Sequence, residues 1–232
     1  MRIDLHGVAK GRRGRALPAT TVGYESGRAT LASAETEQRP TVLGLLASGR
    51  MRPDAGTVSI DGRPDPADIR RRIALVDAPD VSDPAPDVTV AGVAAEELMF
   101  AGVPSTPVSA IRWLGDLGLA HLARTPIGNV APLDRLRLLT ELALLRDGVE
   151  GLVLVSPDRH GGDPVEWWTL ARRLADRGLA VLVIAGEASA SAIAASDLLE
   201  RMRDGDDAAA ARSDSDPDEP ARESLQSMGA RA

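Results

Sequence analysis

The chain has 232 residues, no cysteine, 27 basic and 34 acidic side chains, and a net charge of −7. The length suits one domain with an attached subdomain, and the missing cysteines exclude a disulfide framework or a thiolate metal site. Acidic balance and 2% aromatic content argue against a nucleic-acid stacking surface. No apolar run reaches the ~18 residues of a membrane span, and the start MRIDLHGVAK lacks the apolar stretch of a leader. The expectation is a soluble cytoplasmic domain with an aliphatic core.

Taken in chain order, strand-length apolar runs are predicted at IDLHGV (3–8), ATLAS (29–33), TVSID (57–61), RIALVD (72–77), GLVLVS (151–156) and AVLVIAG (180–186). The last two are apolar throughout, the pattern of strands buried on both faces of a parallel sheet. Between them PVEWWTLARRLADRG reads as a helix, with Pro164 in its first turn and Gly178 just past its end, which makes a βαβ unit. From about Val88 to Arg146 the pattern is helical, in TVAGVAAEELMFAG, PVSAIRWLGDLGLAHLA and LDRLRLLTELALLRDG. This predicts a helical subdomain inserted into an α/β core, the whole spanning residues 1–203. The tail 204–232 holds eight acids against three arginines, five of the seven net negative charges, and is predicted to be disordered. Its AAAAR stretch is too short to be a stable helix alone.

Lysine occurs once, at Lys10 in KGRRGR, so a phosphate loop of the GxxxxGK[ST] type is not present intact. The histidines are His6, His121 and His160. Asp158, His160 and Asp163 follow a predicted strand end, where α/β folds place sites, and form the one grouping with metal-ligand chemistry; no second histidine stands nearby, and no metal site is expected.

The order of elements resembles the nucleotide-binding subunit of an ATP-binding cassette (ABC) transporter. IDLHGVAKGRRGRAL has the cadence of that family's first strand, and TVLGLLASGRMRPDAGTVSIDGR looks like the helix after its phosphate loop with the following turn and strand. RRRIALVDAP resembles the strand leading to the Q-loop, GLVLVSPDRHGGDP the Walker B strand and D-loop, and AVLVIAG the strand before the switch histidine. The stations of the family's chemistry are altered. In SAETEQRPT (33–41), Ser33 and Gln38 stand at glycine positions, Arg39 at the lysine and Pro40 at the Mg-binding hydroxyl. Ala131, Pro132, Leu133 and Asp134 replace the signature Ser-Gly-Gly-Gln. Ser156 and Pro157 replace the Walker B carboxylates, Gly186 the switch histidine, and Ala78 best matches the Q-loop glutamine, while Asp163 keeps the D-loop aspartate.

The resemblance implies an α/β, P-loop NTPase-like core with the inserted helical subdomain, and a degenerate subunit without independent ATP hydrolysis. Such a chain would be a structural or regulatory partner of an integral membrane transport subunit, of a second ABC nucleotide-binding subunit, or of both, peripheral at the inner face of the plasma membrane. Alternatives are a weakly active ATPase that contributes to a composite site with a paralogue, and an adaptor that kept only the fold. No catalytic residue is expected, with Asp158 the candidate substitute after a register slip. No cofactor is expected; weak ATP/Mg contact would fall to Arg39 and Thr41. The partner groove of the family corresponds to about Asp77–Val90 and Glu96–Val103, where Asp77, Asp80, Asp83 and Asp87 would form an acidic rim and Met99 and Phe100 an apolar anchor. Phe100 as subdomain core is the alternative.

Overall fold

Four parallel strands with apolar residues at nearly every position run through the middle of the molecule, which is a computed structural model describing residues 1–35 and 39–213. In chain order the elements are β1 (Arg2–Lys10), β2 (Leu17–Glu25), β3 (Arg28–Ser33), α1 (Arg39–Ala47), β4 (Ala55–Ile60), α2 (Pro66–Arg72), β5 (Ile73–Val76), α3 (Val90–Phe100), α4 (Pro107–Asp116), α5 (Pro132–Ala143), β6 (Gly151–Val155), α6 (Pro164–Asp176), β7 (Ala180–Ala185) and α7 (Glu187–Ser213). The parallel sheet has the order β3-β7-β6-β5. A separate antiparallel sheet has the order β2-β1-β4.

The strand pleat divides the core in two. Ala74, Val76, Leu152, Leu154, Val181 and Val183 point to one face, where α3, α4, α5 and α6 cover them. Their neighbours Ile73, Leu75, Val153, Val155, Leu182 and Ile184 point to the other, against α1, Ile69 of α2 and the inner residues of the antiparallel sheet: Ile3, Leu5, Val8, Leu17, Tyr24 and Ile60. Alternate residues of a strand face opposite ways, so strands apolar throughout must be covered on both faces. Helix α1 lies between the two sheets, touching β6 and β7 on one side and β1 and β2 on the other. That is why Val42, Leu43, Leu46 and Ala47 are all buried and the helix has no polar face. The Tyr24 hydroxyl donates to the Ala47 carbonyl at 2.7 Å, closing the end of α1 against the antiparallel sheet.

Residues 1–193 form one compact unit and 194–232 a second. Of the second, the described part is the continuation of α7, on which Leu198, Leu199 and Met202 are exposed.

Several sequence expectations shift. Strand β2 was not expected: Pro18, Gly23 and two threonines read as loop, yet Tyr24 and Leu17 supply its two inward anchors. Helix α2 was also unexpected. Pro66 opens it and the Asp65 carboxylate caps it, accepting from the amides of Ala67 and Asp68 at 3.0 and 2.9 Å. Segment 88–146 holds α3, α4 and α5. Helix α7 runs through 204–213, which the sequence assigned to a disordered tail. Four consecutive alanines, 208–211, the best helix formers, follow its acids there. The rest of that tail, 214–232, lies outside the described residues.

Gly44 sets how closely α1 approaches the sheet. A Cβ there would stand 2.7 Å from Val155 Cγ2 and 3.1 Å from Leu75 Cδ1. Gly44→Ala should therefore lose about 1–2 kcal/mol, because overpacking outweighs the gain in helix propensity. Urea unfolding should show a lower midpoint at unchanged slope.

Candidate functional site

The C-terminal ends of β3, β7, β6 and β5 lie side by side, the place where α/β sheets expose the chain to ligands. Here the chain leaves β6 at Ser156 with φ 49, and leaves β5 at Asp77 with φ 55. Left-handed backbone is uncommon for residues with a side chain, and it turns each segment sharply away from its strand. Beyond β7, the amides of Gly186 and Glu187 begin α7 and point their N–H groups at the strand ends. Two carboxylates meet them. Glu35, after β3, accepts from the Glu187 amide at 2.7 Å, and Asp158, after β6, accepts from the Gly186 amide at 2.7 Å and faces the Ser189 hydroxyl at 3.4 Å. A helix N-terminus favours negative charge. In this chain the anions are side chains brought from 152 and 28 residues away.

An open hollow of about 460 Å³ borders this arrangement, lined by Glu35, Pro40, Ser156, Asp158, Arg159 and Gly186. Pro40 is buried and brings no N–H to it. Arg39 is exposed, Thr41 is half-buried, and neither lines the hollow.

The grouping of Asp158, His160 and Asp163 does not converge. Asp158 faces α7, Asp163 caps α6 by accepting from the Val165 amide at 2.8 Å, and His160 turns to Asp77. Among the described residues no three side chains of metal-binding type form a group.

Asp77 is the centre of a second cluster. Its carboxylate is 2% exposed and faces Arg135 of α5, itself 5% exposed. Arg135 donates through Nη2 to Oδ1 at 2.7 Å and through Nε to Oδ2 at 3.2 Å, the two-pronged geometry a guanidinium makes with a carboxylate. Its Nη1 reaches the Ile127 carbonyl at 3.2 Å. Arg159 Nη2 adds 3.0 Å to Oδ1, and His160 Nε2 lies 2.9 Å from Oδ2. Burial alone would push the Asp77 carboxyl up; hydrogen bonds from His160 and Arg135 and the charges of Arg135 and Arg159 outweigh it and hold the group at about 2. Sequence reasoning placed Asp77 on an acidic rim, and that is corrected: it is buried and neutralised. Arg135 and Arg159 were missed. A signal for Arg135 exists, because it shares a helical stripe with the buried Leu138, Leu139 and Leu142, a register where a charge demands a partner.

Above Asp77 lies a groove of about 390 Å³ with Leu75, Val76, Leu139 and Leu142 in its floor and Val81 and Phe100 on its walls. Phe100 is 64% exposed, so the alternative that it is subdomain core is set aside. Met99 is exposed but does not line the groove. Glu97 and Arg146, paired at 3.3 Å, line it as well; Asp80 and Asp87 are exposed but do not line it, and Asp83 faces Arg159 at 3.5 Å.

The Asp77 cluster makes a pH prediction. In the unfolded chain this carboxyl titrates at about 3.9; in the fold it does so at about 2. The unfolded state therefore binds the proton more readily between these values. The stabilisation is complete above about pH 4 and is lost as pH falls towards 2. Asp77→Asn should cost about 3 kcal/mol at neutral pH, because Arg135 loses its buried counter-charge. Urea midpoints of variant and wild type should converge between pH 4 and 2.

No family model matches the sequence, and no curated protein matches it. Solved structures do. The chain is similar to cbiO1 from Clostridium perfringens, part of the ABC transporter complex cbiONQ, with 16% identity over 80% of this chain and 78% of that one, TM-score 0.57. It is similar to a nucleotide-free ATP-binding cassette from an ABC transporter, with 17% identity over 81% and 82% of the two chains, TM-score 0.57. A third, the ATP-binding cassette MJ1267 of an ABC transporter, shares 17% identity over 79% and 81%, TM-score 0.55. The likeness is one of architecture: the chain has the P-loop NTPase-like α/β fold of ABC-transporter ATP-binding cassettes.

Proposed function

We propose that this chain is an ABC-type subunit that does not hydrolyse ATP by itself and serves as a structural or regulatory partner of a membrane transport component. The observation that carries the reading is the pair of carboxylates, Glu35 and Asp158, seated on the first amides of α7 at the strand ends. Phosphoryl transfer rests on positioning and on stabilising negative charge. Here the first two amides of α7, which point at the strand ends, already hold anions. Sequence adds to this: Arg39 stands at the lysine position, Pro40 at the Mg-binding hydroxyl, and Ser156 and Pro157 at the Walker B carboxylates. Magnesium would find no carboxylate at those last two positions, and Asp158 is engaged with α7.

The structural neighbour cbiO1 is part of a transporter complex. By analogy the partner of this chain is a membrane component, and the groove walled by Val81 and Phe100 suits an apolar helix face. Exposed Asp80 and Asp87 belong to the acidic segment that also supplies Val81 to that groove's wall, and their charge favours a partner segment with basic flanks and salt-sensitive association.

Calorimetry with Mg-ATP should give no micromolar binding, and phosphate release should stay at background. Micromolar affinity, or turnover that Asp158→Ala abolishes, overturns the non-hydrolysing reading in favour of a weakly active subunit. Membranes from the source cells should capture the purified chain. Asp80→Asn with Asp87→Asn should slow that capture several-fold at low salt and leave the melting temperature unchanged, since asparagine tolerates the left-handed backbone of Asp80 at φ 59.

A further inference from the structure

The tip of the β1–β2 hairpin is the most concentrated positive charge on this acidic chain. It reads Lys10-Gly11-Arg12-Arg13-Gly14-Arg15. Arg12, Arg13 and Arg15 are exposed, as is Arg52 in the loop that precedes β4 and packs beside the hairpin base. None of the four pairs with a carboxylate among the described residues. The one acid nearby is fully engaged: Asp54 takes the Lys10 ammonium on Oδ1 at 2.7 Å and the Gly11 amide on Oδ2 at 2.9 Å. Lys10 also reaches the Arg52 carbonyl at 2.9 Å, which ties the two loops together. The tip itself is closed by the Gly14 amide on the Gly11 carbonyl at 2.9 Å and the Ala16 amide on the Lys10 carbonyl at 3.1 Å. The arginines are thus presented on a fixed turn. The acids of the same sheet, Asp4 and Glu25, stand at its opposite end and are paired with Arg2.

We infer that this hairpin tip is an electrostatic contact for the phosphate groups of an anionic membrane surface. The inference rests on the reading that sets the chain beside a membrane component. The chemistry of the tip selects among polyanions. Between Gly11 and Arg15 there is no aromatic ring on which a nucleic-acid base could stack and no apolar side chain to anchor a protein partner. What remains is charge on a projecting turn, and an array of headgroup phosphates accepts charge without requiring a register.

The test is co-sedimentation of the full chain with vesicles of phosphatidylcholine, with or without phosphatidylserine. Binding is expected only to the anionic vesicles, weakening as salt shortens the range of the field. Arg12→Gln, Arg13→Gln and Arg15→Gln should each reduce the partition coefficient about fivefold, and the triple change about a hundredfold. The melting temperature should not move, since all three side chains are exposed and unpaired. Replacing the three by lysine should keep binding, because a diffuse surface reads charge rather than fork geometry. No binding to anionic vesicles at low salt, wild-type binding by the triple glutamine variant, loss of binding in the lysine variant, or tighter binding to single-stranded RNA than to vesicles would each overturn it. The vesicles contain lipid alone. Failure here therefore leaves the nucleotide and groove experiments standing, and failure there leaves this one.

Discussion

The buried carboxylate of Asp77 is the constraint around which the C-terminal end of the parallel sheet is organised. Taking a carboxylate and a guanidinium out of water costs several kcal/mol per ion, and one contact between them rarely recovers it. Asp77 has more than one: two bonds from Arg135, one from Arg159 and a histidine nitrogen, spread over both oxygens. These partners stand 58, 82 and 83 residues away in sequence. The end of β5, the start of α5 and the turn after β6 are therefore fixed to one another by a single side chain. The neutralised cluster also decides the character of the groove above it. A free Asp77 would make the floor acidic and wet; a paired one leaves Leu75, Val76, Leu139 and Leu142 as an apolar stretch beside the Glu97–Arg146 ion pair.

Packing supplies the rigidity on which that cluster depends. Strands β5, β6 and β7 are buried on both faces, so none can shift without exposing apolar area on one side or the other. Helix α1 transmits this to the antiparallel sheet, because it has no solvent face on which to roll. Gly44 lets it seat directly against Val155 and Leu75. The residues just past the strand ends, Glu35, Asp77 and Asp158, are consequently set by the sheet rather than by flexible loops.

What the sequence reveals follows from how local each signal is. Parallel strands β6 and β7 and the helix between them were legible because apolar runs, Pro164 and Gly178 act within a few residues. Asp163 was legible as a cap for the same reason. Strand β2 was not, since its stability comes from pairing with β1 and from burying Tyr24, while its own residues include Pro18 and Gly23. The Asp77 cluster and the Glu35–α7 contact were not, because each joins residues that only the folded sheet brings together. Phe100 had two readings, groove anchor or subdomain core; Leu98 beside it turns inward, while Phe100 turns out and walls the groove. The spacing of elements resembled a known architecture, and the architecture is present; the side chains at its strand ends had to be placed before their partners could be known.

Those placements bear on what the strand ends can accept. At an effective dielectric of about 20, two unit charges 4 Å apart interact by about 4 kcal/mol, so a phosphate brought against Glu35 and Asp158 would meet repulsion from both. It would also compete for the Gly186 and Glu187 amides, which already have acceptors at 2.7 Å, so neither N–H is left unsatisfied to reward its arrival. A cation placed in the same hollow would not face this repulsion, but the carboxylates are turned to the helix and Arg159 stands in the lining with a charge of the same sign. The start of α7 is thus electrostatically satisfied from within: the helix has its anions, and the anions have their donors. In this ABC-like architecture the start of α7 is met by the chain's own carboxylates rather than left open to an outside anion.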